Sequence, residues 1–168
     1  MGTRRIARER AVQFLFQCDQ NPPEDIDKEL DEFWRTVRLY EFEKNLDRPT
    51  FGKPVELPPP SVEEMAIRAF ADQLIYGVLQ HKDECDKTIA KYLKNWDFNR
   101  INLIDRNILR LAIYEMLYRD DIPPVVSINE AIEIAKKYST EESGKFVNGI
   151  LDRVKEDILR PSREPSSS

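Results

Sequence analysis

Residues 103–119 read LIDRNILRLAIYEMLYR, and this stretch decides the fold class. Apolar side chains return at Ile104, Ile108, Leu111, Ala112, Met116 and Leu117, the three-to-four-residue rhythm of a helix rather than the alternation of a strand. Glu115 stands apart among them. The stretch is the most apolar helix of the chain and is expected at the centre of the fold. Downstream, Pro123 and Pro124 end it, and Ser127 followed by Glu130 has capping-box spacing. That spacing predicts a sixth helix with a buried stripe of Ile128, Ala131, Ile132, Ala135 and Tyr138. Thr140 is expected to cap a seventh helix, whose apolar face is Phe146, Val147, Ile150, Leu151, Val154 and Ile158. Pro161 closes that helix, leaving 161–168 as a disordered tail.

Upstream the same rhythm recurs. A first helix is predicted from Thr3 to Gln20, stopped by Asn21, Pro22 and Pro23, and a second from Glu24 to Glu43 with Ile26, Leu30, Phe33, Trp34, Val37 and Tyr40. Pro49, Pro54 and the run Pro58 to Pro60 make 45–60 a long loop. Ser61 and Glu64 form a second capping box, opening a third helix through Met65, Ala69, Leu74, Ile75, Val78 and Leu79 to His81. Gly77 either weakens that helix slightly or permits close packing. A fourth covers Asp83 to Lys94 through Ile89, Ala90 and Leu93, and 95–102 turns the chain. The expectation is an all-α fold of about seven helices, with residues 1–160 as one domain.

Bulk properties narrow the function. The 168 residues are 40% hydrophobic and 34% charged, ordinary for a globular protein. No apolar run approaches the roughly 18 residues of a membrane span, and the charged start has no apolar signal region behind it, so a cytoplasmic protein is expected. Cys18 and Cys85 have no CxxC spacing and His81 is the single histidine, which removes the usual triads and most zinc sites; no cofactor or metal is expected. Glu130 and Glu133, one turn apart, are the nearest approach to a hydrolytic carboxylate pair, and capping and surface exposure explain them better.

Charge is unevenly placed. Arg4, Arg5, Arg8 and Arg10 against Glu9 give the first ten residues about +3, while the whole chain carries −5. On the first helix Ala7, Ala11, Phe14, Leu15 and Cys18 share the apolar face, and Arg5, Arg8, Val12 and Phe16 fall on another side. Guanidinium groups bind phosphates bidentately and an exposed ring stacks on an unpaired base, the combination a single-stranded nucleic-acid surface needs. The same pattern also fits a solvated helix end with Phe16 packed on a second neighbouring helix. Net acidity restricts any nucleic-acid contact to a local patch.

The C-terminal third carries a resemblance. INEAIEIAKKY (128–138), KFVNGIL (145–151) and LRLAIYE (109–115), with the segment from Arg4 to Cys18 in front, closely resemble the NusB family of transcription antitermination factors. The resemblance implies a non-catalytic helical fold of two packed bundles. It also implies binding of boxA-type RNA of ribosomal leader transcripts together with NusE, a small-subunit ribosomal protein. The assembled complex then acts on elongating RNA polymerase with other Nus factors and supports ribosomal RNA maturation. Carried over by position, the RNA-facing residues are Arg4, Arg5, Arg8, Phe16, Lys145 and Phe146. Many relatives have tyrosine at Phe16; phenylalanine keeps the stacking face and loses the hydroxyl. Asn148 is placed either to read a base edge or to pack as a helix amide. Asp105 and Glu142 are the implied contacts for the basic protein partner, and their own reading as helix N-terminal charges stands beside that.

The 45–60 loop and the acidic helix before it are longer than is typical of the family. NusB-like domains also form the front of some ribosomal RNA cytosine methyltransferases, so a role as an accessory module of RNA modification is the alternative. This chain carries no glycine-rich cofactor loop of its own. Whether it forms a homodimer when free is left open by the sequence.

Overall fold

A computed structural model describes residues 2–46, 56–93 and 98–159. Most of the predicted 45–60 loop and the whole 161–168 tail lie outside them. The described residues form seven α-helices and one 3-10 turn, with no strand among them: α1 Thr3–Gln20, α2 Ile26–Lys44, α3 Val62–Gln80, α4 Lys82–Lys91, the turn Phe98–Arg100, α5 Leu103–Tyr118, α6 Pro124–Tyr138 and α7 Glu141–Leu159.

Two of the predicted helix starts form as the sequence implies. Ser61 and Glu64 make both halves of a capping box at α3. Thr140 accepts the Ser143 amide at α7, at 3.0 Å. The start of α6 differs. The helix begins at Pro124 behind Pro123, because proline sets the helical φ without needing the amide that the first turn leaves unpaired. Ser127 therefore sits one turn inside the helix, buried, and its hydroxyl donates to Glu115 at 2.8 Å.

α5 is the central helix, packed against α1, α3, α4, α6 and α7. Ile108, Leu109, Leu111, Ala112, Ile113 and Met116 are all buried there. Ion pairs give the directions of the neighbours. Arg8 meets Glu115 while Asp19 meets Asn107 and Arg110, so α1 runs antiparallel to α5. Arg5 meets Glu130 while Glu9 meets Lys137 and Tyr138, so α1 runs parallel to α6. α2 lies antiparallel to α3 through Asp31 with Arg68, Trp34 with Asp72 and Arg38 with Glu64. The chain folds as an α1–α3 half and an α4–α7 half that share the α1–α5 seam.

Packing revises several of the predicted stripes: Tyr40 of α2, Leu117 of α5 and Ile158 of α7 are exposed, and α3 and α4 change as well. Met65 is 53% exposed and Ala69 is exposed, while Phe70 and Ala71 take the core positions of α3. In α4 Ile89 is buried and Ala90 is exposed. Gly77 turns out to be a packing glycine: a Cβ there would run into the Tyr114 ring, so α3 and α5 approach at the point where α3 has no side chain.

Candidate nucleic-acid and partner interface

α1 proves to have two packed faces. Ala7, Ala11, Phe14 and Leu15 are buried as expected, but so are Arg8 and Val12 on the other side. The Arg8 side chain, 4% exposed, donates through Nε and Nη2 to the two Glu115 oxygens, both at 2.9 Å, and Glu115 is 1% exposed. Its Nη1 lies 3.6 Å from Glu130. This corrects the expectation for Arg8, whose guanidinium closes a buried ionic group with Glu115 and Ser127 instead of facing solvent. A charge this deep is retained only with a partner, and Glu115 is that partner. The sequence held the clue: a carboxylate set among core positions of the most apolar helix requires a cation opposite it.

Arg5 is half-buried and forks onto Glu130, with Nε at 2.9 Å from one oxygen and 3.2 Å from the other. The Glu130 hydrogen bond and charge raise the Arg5 guanidinium above its ordinary range, against the small opposing effect of burial. Glu130 is thus neither a cap nor half of a hydrolytic pair. Arg10 pairs with Glu41 at 3.0 Å. Of the four arginines only Arg4 makes no ion pair among the described residues; it is exposed, with its guanidinium 4.6 Å from the centre of the Phe70 ring.

Further along the same side of α1, Glu9 is buried and accepts from Lys137 at 2.8 Å and Tyr138 at 2.5 Å. The Glu9 bond raises Lys137; burial first, and then Glu9, raises Tyr138. Because α6 ends at Tyr138, level with Glu9, the next two turns of α1 run past it, bringing Phe16 to the end of the bundle where α7 begins. Phe16 is half-buried. At that end Lys145 and Asn148 are exposed on α7, and Phe146 is half-buried against the core. Lys145 is held only loosely by Glu142, at 3.8 Å between side chains 76% and 85% exposed. Phe16 and the start of α7, with Lys145, Phe146 and Asn148, therefore lie toward the same end of the bundle, and Arg5 lies away from it: Arg5 and Phe16 are separated by about 16 Å along the axis.

The two acidic candidates converge on the same end from different helices. Asn102 caps α5 by accepting the Asp105 amide at 2.8 Å, and Asp105 Oδ2 accepts from Ser143 at 2.8 Å and from Asn102 at 3.1 Å. Asp105 is 4% exposed, so it ties the start of α5 to the start of α7 rather than projecting from the surface; Glu142, beside Ser143, is the exposed carboxylate. The sequence missed Ser143 and Asn102, whose part in this junction depends on contacts between distant segments.

Among the described residues no group of three or more His, Cys, Asp or Glu is placed to hold a metal, and no helix is long and apolar enough to cross a membrane. Cys85 is buried and Cys18 half-buried; burial pushes their thiols up to about 12 and about 11.

Comparison with known proteins agrees with this architecture. Residues 5–156 match the NusB family. The transcription antitermination protein NusB of Thermodesulfovibrio yellowstonii is 46% identical over 163 residues, covering 92% of this chain and 93% of its own. A solved T. maritima NusB superposes with a TM-score of 0.68 at 36% identity, covering 94% of this chain and 92% of that one. A chain from the crystal structure of antitermination factors NusB and NusE in complex with dsRNA superposes with a TM-score of 0.67 at 25% identity, covering 94% of this chain and 98% of its own. With its helical order and both ends of its sequence matched, this chain belongs to the NusB family.

Proposed function

We propose that the protein is a transcription antitermination factor that works by binding, without catalysis. It takes boxA-type single-stranded RNA of ribosomal leader transcripts on the side of α1 that runs from Arg4 and Arg5 to Phe16, continuing onto Lys145, Phe146 and Asn148 of α7. A NusE-type ribosomal protein docks at the joined starts of α5 and α7, where Glu142 offers a charge that a basic partner satisfies and RNA phosphate does not. The complex acts in the cytoplasm on elongating RNA polymerase. Supporting this reading most is the placement of Phe16 toward the end of the bundle where α7 begins, an end marked by Asp19 with Asn107 and by Ser143 with Asp105, since α1 and α7 are far apart in sequence. A ring, a loosely held ammonium and helix N-terminal amides suit an unpaired nucleotide.

Fluorescence anisotropy with a labelled boxA-type strand tests the assignment. Phe16→Ala should weaken binding by about 1–3 kcal/mol with little change in salt dependence, as loss of one stacked base requires. Lys145→Ala should lower the salt slope by about 0.7, one single-strand phosphate contact. Adding NusE should tighten the RNA complex, and Glu142→Lys should abolish that gain while leaving RNA binding by the isolated chain in place. If both RNA-face variants bind like the wild type, the face is wrong.

A further inference from the structure

The Arg5–Glu130 contact is placed where a phosphate would be. Glu130, with a side chain 13% exposed, presents both oxygens to the Arg5 fork and one of them also to Arg8 at 3.6 Å. A carboxylate and a phosphate each offer a pair of oxygens at similar spacing to a guanidinium, so one occupant of the fork excludes the other. The local charges also cancel: Arg5 and Arg8 are opposed by Glu130 and Glu115, all linked through short contacts. As folded, this part of α1 leaves Arg4 as its one arginine without an ion pair among the described residues to attract an approaching phosphate, although the sequence concentrates arginine there.

We propose that Glu130 is a built-in competitor for the RNA backbone: it holds Arg5 in a phosphate-ready geometry, and RNA reaches Arg5 only by displacing it. The inference rests on the RNA-binding reading above and adds to it a reason for weak binding by the isolated chain. Anything that draws the Glu130 end of α6 away from α1 would strengthen RNA binding without touching RNA. Glu130 occupies this place because α6 starts at Pro124, which puts it nearly two turns into the helix and level with Arg5.

Glu130→Gln provides the test, because it removes the charge and keeps the shape and one acceptor. In titrations of a labelled single-stranded boxA-type RNA, the variant should bind about five-fold more tightly than the wild type at 0.1 M salt. In an Arg5→Ala background the same change should have no effect on affinity. Equal or weaker binding by a folded Glu130→Gln protein overturns the proposal, since a carboxylate that merely positions Arg5 would be missed when neutralised. A gain that survives Arg5→Ala overturns it as well. The native chain supplies an arm independent of the variant's folding: the Arg5 Nε–Hε resonance should move as RNA is added, and a signal fixed through saturation refutes displacement. If the wild type binds no RNA, the functional reading falls and this inference with it; if the wild type binds and only the Glu130→Gln sign is wrong, the inference falls alone.

Discussion

Replacing Arg8 by alanine should damage the fold before it touches RNA recognition. The change leaves the Glu115 carboxylate, 1% exposed, with the Ser127 hydroxyl at 2.8 Å as its remaining hydrogen-bond partner and no ion pair of its own among the described residues. Breaking one side of a buried ion pair costs about 3–5 kcal/mol, far more than the pair contributes when compared with apolar residues of the same shape. For a domain of this size each kcal/mol lowers the melting temperature by about 2–4 °C, so Arg8→Ala should melt roughly 6–20 °C below the wild type. Thermal unfolding followed by circular dichroism measures the drop. The companion protein Arg8→Met, Glu115→Leu, Ser127→Ala removes every member of the buried group at once and should melt within a few degrees of the wild type or above it. Its RNA affinity should stay within about two-fold of wild type, because a buried Arg8 contributes no phosphate contact. Refutation takes either of two forms. Arg8→Ala could melt with the wild type, or the triple variant could be stable yet bind RNA with a salt slope reduced by a full phosphate, meaning that Arg8 leaves the core to reach RNA.

Two further outcomes follow from packing and charge. Gly77→Ala should lose about 1–3 kcal/mol, because its methyl group enters the Tyr114 ring, and the loss should shrink when Tyr114→Leu is added; an unchanged melting temperature for Gly77→Ala would mean that α3 and α5 separate freely. Burial alone would raise the Asp19 carboxyl, but the Asn107 hydrogen bond and the Arg110 and Lys82 charges outweigh it and hold the group below its ordinary 3.8. A depressed folded value means that the stabilisation is fully present above the unfolded value of about 4 and is lost as pH falls through the folded one. Melting temperatures measured from pH 6 to pH 3 should therefore fall more steeply for the wild type than for Asp19→Asn; parallel curves would remove Asp19 from the acid-sensitive groups.

Most of the helical skeleton was legible because its signals are local. Ser61 with Glu64, Thr140 before α7 and the proline stops each act within a turn, and α5 announced its central place through its apolar content. The α6 start was misread because the serine and glutamate of an apparent capping box were already committed to α5 and α1. The arginines were harder still. A guanidinium on a helix looks the same in sequence whether it faces water or a carboxylate more than a hundred residues away, and Arg5 and Arg8 both found such partners. Arg4, Lys145 and Glu142 kept the exposure that their sequence reading required, while Asp105 exchanged a surface role for one in the α5–α7 junction.

The α1–α5 seam is pinned near both ends, by Arg8 with Glu115 and by Asp19 with Arg110 and Asn107. Eleven residues of α1 separate the two pins, about 16 Å of helix. Sliding α1 by one turn, about 5.4 Å, would break both at once and strand charges in the interior. The seam therefore acts as a fixed gauge. Arg5 and Phe16 keep their spacing because they share α1, and the pins hold both at a fixed height against α5 and, through Asp105 and Ser143, against the start of α7, so on the proposed RNA face a nucleotide chain crossing from α1 to α7 would meet its contacts at constant separations. A change at either pin would shift Phe16 against Lys145 and Phe146 and so alter how the proposed site spaces its bases, although the pins themselves lie within the seam.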